Sequence, residues 1–229
     1  MKKLTPEMVA KRYDKGVTFN TQISLYDTVT ENENFFIGKQ WEGVEANGLP
    51  TPVFNFLKRV TLFQIATISS NNLSMQATPL NSTSQYGLSD LEKVTDVINK
   101  QFAELFERNK IVTKVREFMR NAAVDGDGAT YSWFDPDMET GQEAKGGIVT
   151  EIIENTRIIF GNPNERNPQE QPYIIIPMRK QVEYVKKLAE KNGVKKDVID
   201  AIRADTEAYD NKMDALTDDR VSMYIYLYR

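Results

Sequence analysis

A chain of 229 residues with 40% hydrophobic content is long enough for one large domain or two small ones around a buried core. Its 29 Lys and Arg stand against 33 Asp and Glu, a formal net charge of -4, so it lacks the cation excess on which sequence-nonspecific nucleic-acid binding rests. Cysteine and histidine are absent, which excludes thiolate or imidazole zinc sites, disulfides, thiol catalysis and histidine-dependent triads within the chain, and leaves acid–base work to Asp, Glu, Lys or Tyr.

The N-terminus MKKLTPEMVAKRYDKG turns polar after two lysines, and no later run approaches the ~20 apolar residues of a membrane span, so the expectation is a soluble protein of a reducing cytoplasm. Thr5-Pro6 opens a short helix with proline at its first position. Phe19, Ile23, Tyr26 and Val29 recur at helical spacing and predict a second helix from Val17 to Glu33.

That helix runs into NFFIGKQWEG, residues 34–43, where a Gly-Lys pair invites comparison with a phosphate-binding loop. A Walker loop would need glycine where Glu33 stands and Ser or Thr where Gln40 stands. Packing fits the residues better: Phe35, Phe36 and Trp41 can bury large surfaces, with Trp41 as a buried anchor, and Gly38 permits a helix-ending backbone.

Thr51-Pro52 predicts the start of a stronger helix, Thr as N-cap, with Val53, Phe56, Leu57, Val60, Phe63 and Thr67 along one face and Asn71-Asn72 at its end. LSMQATPLN, from Leu73, alternates and predicts a short strand or extended edge. Ser89-Asp-Leu-Glu92 is a capping-box pattern, and the helix after it should bury Leu91, Val94, Ile98, Phe102 and Leu105. A further helix carries Ile111, Val115, Phe118, Met119 and Ala122, joined to its predecessor or separate from it.

From Gly128 the period changes to that of strands: ATYSWFDPD, GGIVTEIIENTRIIF and PYIIIPM, with turns at the glycines 141, 146 and 147 and a surface loop GNPNERNPQEQP. Two helices follow, RKQVEYVKKLAEKNG with Gly193 as C-cap and KKDVIDAIRADTE, and VSMYIYLYR closes the chain as a strand. The fold class is therefore α+β: a mainly helical part over residues 1–125, then a mixed or antiparallel sheet with further helices over residues 126–229.

Two other groups of residues suggest chemistry. Asp125-Gly-Asp127-Gly with Asp135 could supply carboxylates to a divalent cation, the basis of an alternative reading as a metal-dependent hydrolase. A calcium loop would want an oxygen ligand at 129 and glycine at 130, where Ala129 and Thr130 stand, and a helix-to-strand turn explains the same residues without a ligand. YIYLYR could stack bases, but tyrosine alternation is equally what a half-buried strand requires, and Asp218-Asp219 suits solvated surface.

From Asn34 to Gly193 the order of elements resembles the portal proteins of tailed double-stranded-DNA bacteriophages. NFFIGKQW is similar to the family's aromatic–Gly–x–Gln–Trp element, and LPTPVFNFLKRVTLFQIATISSNNLSMQATP to its Pro-led helix running into an Asn-containing turn. GDGATYSWFDPD is similar to its aromatic strand ending in Asp-Pro, and EIIENTRIIFGNPNERNPQEQPYIIIPMRKQVEYVKKLAEKNG to its strands leading through an Asn/Pro loop into a helix.

The resemblance implies a non-enzymatic structural subunit without catalytic, cofactor-binding or metal-binding residues. It implies a homo-oligomeric, usually dodecameric, ring at one capsid vertex, assembled in the host cytoplasm and retained in the virion. Terminase, major capsid protein and tail connector are the implied partners, with double-stranded DNA passing transiently through the channel and no membrane association. Family members continue into stem, clip and crown, so the chain resembles the N-terminal wing region. A non-viral structural interaction module with no ring is a further alternative.

Overall fold

The computed structural model describes residues 4–70, 73–79, 88–141, 143, 145–165, 167–205 and 219–229. Its elements run α1 (Pro6–Gln22), α2 (Leu25–Ile37), α3 (Phe56–Ser69), α4 (Leu88–Arg108), α5 (Ile111–Asp125), β1 (Ala129–Asp135), β2 (Gly147–Ile153), β3 (Ile159–Phe160), β4 (Tyr173–Gln181), α6 (Val182–Lys191), α7 (Lys196–Asp200) and β5 (Arg220–Tyr228). This is the expected α+β class, with five helices before the first strand. The compact units divide the chain elsewhere: one comprises Met1–Glu31 with Glu154–Arg229, the other Asn32–Ile153. The two cuts fall within α2 and at the end of β2.

In the first unit, β3, β4 and β5 form an antiparallel sheet in that order, with β4 and β5 in register from Tyr173↔Tyr228 to Gln181↔Arg220. The buried apolar residues of this unit are Val29, Ile159, Ile175, Ile176, Met178 and Ile199, with Ile175 fully buried. Helix α1 packs on β3 so closely that a Cβ at Gly16 would lie 2.0 Å from Ile159 Cγ2, which explains a glycine in mid-helix despite its cost there. Pro177 is tolerated inside β4 because β3 reaches only Ile174 and Ile175, leaving a one-sided ladder where proline lacks its N–H.

Three local devices shape this unit. Thr5 caps α1, its hydroxyl accepting from Met8 N at 3.4 Å. Gln171, buried, organises the polar loop before β4, its Nε2 donating to Asn162 O (2.9 Å) and Glu165 O (2.7 Å) while Oε1 accepts from Asn162 N (2.9 Å). Gly193, at φ +71°, ends α6 in the way its residue type predicts, with its N–H on Glu190 O and that of Val194 on Ala189 O.

In the second unit α3 packs on α5, and α4 and β2 also contact α5, while β1 and β2 form an antiparallel pair. The outer edge of β2 is held by side chains. Buried Asn109 donates to Ile148 O (2.8 Å) and accepts from Thr150 N (3.0 Å), and Lys114 Nζ donates to Thr150 O. Gly128 lets the chain turn into β1, since a Cβ there would lie 2.9 Å from both the carbonyl oxygen and the ring of Phe118.

Several sequence expectations are corrected. The helix expected from Val17 to Glu33 is broken at Ser24, whose φ of +54° turns the chain between α1 and α2. Thr51-Pro52 does not open α3. Asn55 caps it instead, accepting from Lys58 N at 3.1 Å while donating to Phe36 O at 2.8 Å, so one amide both caps α3 and ties it to the end of α2. Residues 73–79 make no strand ladder; Asn99 on α4 clamps Ala77 through its N–H (2.7 Å) and C=O (3.3 Å).

Lys110, at φ +50°, separates α4 from α5. Within GGIVTEIIENTRIIF a 3-10 turn at Asn155–Arg157 interrupts the strand and leaves β3 only two residues long. Helix α6 begins at Val182 because Arg179–Gln181 extend β4, and α7 covers only Lys196–Asp200. Asn71-Asn72, the side chain of Ser89 and Asp218 lie outside the described residues.

Candidate interaction surface

The Gly-Lys pair serves to end a helix. Gly38, at φ +90°, donates to Phe35 O (3.3 Å) and Lys39 N to Asn34 O (2.7 Å), the paired bonds of a Schellman C-cap. Lys39 is exposed and faces Glu42 at 3.9 Å. Of the aromatic residues, Phe36 lies beneath two cations, Lys58 Nζ at 5.6 Å and Arg120 Cζ at 5.1 Å, and Arg120 pairs with Glu33. Trp41 corrects its expectation: it is 42% exposed and anchored by one bond, Nε1 donating to Pro52 O at 3.0 Å.

Asp125 ends α5 and Asp127 lies in the turn before β1, while Asp135 is at the far end of that strand, roughly 20 Å along it at about 3.3 Å per residue. Asp135 Oδ1 accepts from Asp137 N at 3.0 Å, the bond of an Asx turn. The three carboxylates therefore do not converge, and among the described residues no three acidic side chains group to hold a metal ion.

The tyrosines of β5 pack within their own unit: Tyr224 against Tyr13 (4.6 Å between centroids) and Tyr226 against Tyr173 (5.4 Å). Arg12 lies 4.7 Å above the Tyr173 ring and donates to Tyr226 Oη. Beside them is an ionic cluster that no sequence motif marked. Asp205 accepts from Arg179 Nη1 (2.5 Å), Ser222 N (2.7 Å) and Ser222 Oγ (3.0 Å), joining β4, β5 and the segment after α7. Burial pushes the Asp205 carboxyl up, but the bonds from Ser222 and Arg179 outweigh it and hold it below the ordinary carboxylate value. These bonds cross-link the fold.

The surface of the second unit is unusual in being apolar where the sequence pattern predicts core. The face expected to be buried on α3 points outward: Phe56 is 66% exposed and Phe63 73%, with Leu57 and Val60 also exposed, while Ile65, on the opposite side of the helix, is buried. Phe54, just before the helix, stacks on Phe56 at 6.4 Å and is itself exposed. A helix that is apolar all round is ordinarily covered on every side. Helix α4 repeats the pattern more weakly, burying neither Val94 nor Ile98 and leaving Val97 exposed as well.

A cavity of about 440 Å³ adds to this surface. Its floor is one face of the β1–β2 pair, at Thr130, Ser132, Ile148, Thr150 and Ile152, and Phe102, Phe106 and Phe118 are among its wall residues. Its lining is mostly aliphatic and aromatic, with few polar groups and no acid–base pair, and suits an apolar partner better than bond-making chemistry. Among the described residues no helix is long and apolar enough to cross a membrane. No protein-family model matches the chain, and no curated protein sequence matches it.

Proposed function

We propose that the chain is a structural subunit of a bacteriophage portal ring, its wing region, and is not an enzyme. The reading places it at a capsid vertex, where a homo-oligomeric ring forms the conduit for double-stranded DNA and the attachment point for terminase and tail connector. The observation that carries it is the outward apolar face of α3, which gives the chain a surface suited to burial against another protein. The order of motifs from Asn34 to Gly193 supplies the identity of the assembly. A net charge of -4 agrees with a conduit, because tight phosphate contacts would oppose sliding.

The test is electron microscopy of capsids assembled with an epitope-tagged copy of the encoded protein. Label at a single vertex per capsid is the expected result. Capsids free of label, or label spread over all vertices, would refute the portal reading. The metal-dependent hydrolase alternative has no convergent acidic group among the described residues to support it.

A further inference from the structure

We infer that the outward face of α3 docks on the outward face of α4 in a second copy of this chain, a head-to-tail contact. This rests on the reading of the chain as an assembling subunit and names the surfaces that join.

The first ground is spacing. Phe56, Val60, Phe63 and Thr67 follow one another at intervals of four, three and four residues, the seam of a helix built to lie along another helix. On α4 the residues Asp90, Val94, Val97, Gln101 and Glu104 repeat the same intervals, with Val94 56% and Val97 59% exposed. Both seams lie in the same compact unit, on the exposed side of helices that each contact α5.

The second ground is area. With about 200 Å² for a whole phenylalanine, the exposures of Phe54 (70%), Phe56 and Phe63 leave roughly 400 Å² on three rings. Leu57 and Val60 add on the order of 100 Å² each. The total, on the order of 600 Å², reaches the upper end of the largest apolar patch of an ordinary monomer and is the greater part of the ~800 Å² that each partner buries in a stable complex.

The third ground is charge, which selects α4 over a second α3. Helix α3 carries Lys58 and Arg59 and no acid, so pairing it with itself would bring like charges together. Helix α4 carries five acids against three bases; Arg108 stands at the last step of its seam, and two of the acids, Asp90 and Glu104, stand on it. Their intrahelical partners, Lys93 at 3.6 Å and Arg108, form exposed pairs of the weak kind that an incoming arginine can replace. A contact between two different faces propagates from copy to copy and closes into a ring when its rotation permits.

Sedimentation velocity of the 229-residue chain over a concentration series tests this. The wild type should self-associate reversibly, and Phe63→Asp and Val97→Asp should each weaken association by about tenfold or more. Both side chains are largely exposed, so unchanged circular dichroism and melting would show that each variant folds. Arg59→Glu and Asp90→Lys should each weaken association, and the double variant should regain most of it. A wild type that stays monomeric overturns the inference, as does loss with Phe63→Asp but not Val97→Asp, or a double variant no better than its parents. Label at one capsid vertex with a ring indifferent to Phe63→Asp would refute this contact while leaving the portal reading intact; association of the predicted kind without vertex label would do the reverse.

Discussion

Replacing Asp205 with alanine tests whether the Arg179–Asp205–Ser222 cluster is what joins the segment after α7 to the sheet. The substitution removes the acceptor of three bonds, at 2.5 Å from Arg179 Nη1 and at 2.7 and 3.0 Å from Ser222 N and Oγ. The Arg179 side chain is only 8% exposed; it keeps the Asp205 backbone carbonyl at 2.8 Å and Ser222 Oγ at 3.3 Å but loses the bond to the Asp205 carboxylate. Hydrogen bonds to charged groups contribute about 1.5–3 kcal/mol.

Because the carboxylate is 31% exposed, solvent screens part of this, and the expected loss is roughly 2–3 kcal/mol at neutral pH. The assay is urea denaturation followed by circular dichroism at several pH values. The Asp205 carboxyl sits below its ordinary value of 3.8 in the folded state, so its contribution is fully present above that value and is lost as pH falls through the depressed folded one. Wild type and variant should therefore converge in acid. A gap under ~0.5 kcal/mol at neutral pH, or one that persists unchanged in acid, would refute the assignment of this cluster as a cross-link.

Asn109→Ala should cost roughly 2–3 kcal/mol in urea titrations, because it strips both bonds from the β2 edge and leaves Thr150 N–H without its acceptor. Trp41→Ala should cost about 1–2 kcal/mol in thermal melts, below the ~3–5 kcal/mol of a fully buried tryptophan, since Trp41 is 42% exposed. Saturating magnesium, manganese or calcium should leave the melting temperature unchanged; a true site would add ~2.7 kcal/mol at a hundredfold excess over its dissociation constant. A saturable shift abolished by Asp127→Asn would revive the hydrolase reading.

The local chemistry of single residues determined a good deal of this protein. Thr5-Pro6 starts α1, Gly38 and Gly193 end their helices, and the alternation of ATYSWFD and VSMYIYLY makes strands, because caps, positive φ and side-chain alternation depend only on near neighbours. The absence of cysteine and histidine alone narrows the chemistry open to the chain.

What the pattern could not say is which apolar face meets which neighbour. The seam of α3 is plain in the sequence, but periodicity records only that a face wants cover; here α5 takes the side bearing Ile65 and leaves Phe56, Val60 and Phe63 outside. The three aspartates that spacing suggested are separated by the length of β1. The residues that do converge, Arg179, Asp205 and Ser222, or Asn109 with Ile148 and Thr150, are distant in the chain. No local spacing encodes such contacts; they exist only once antiparallel pairing and helix docking have set the register.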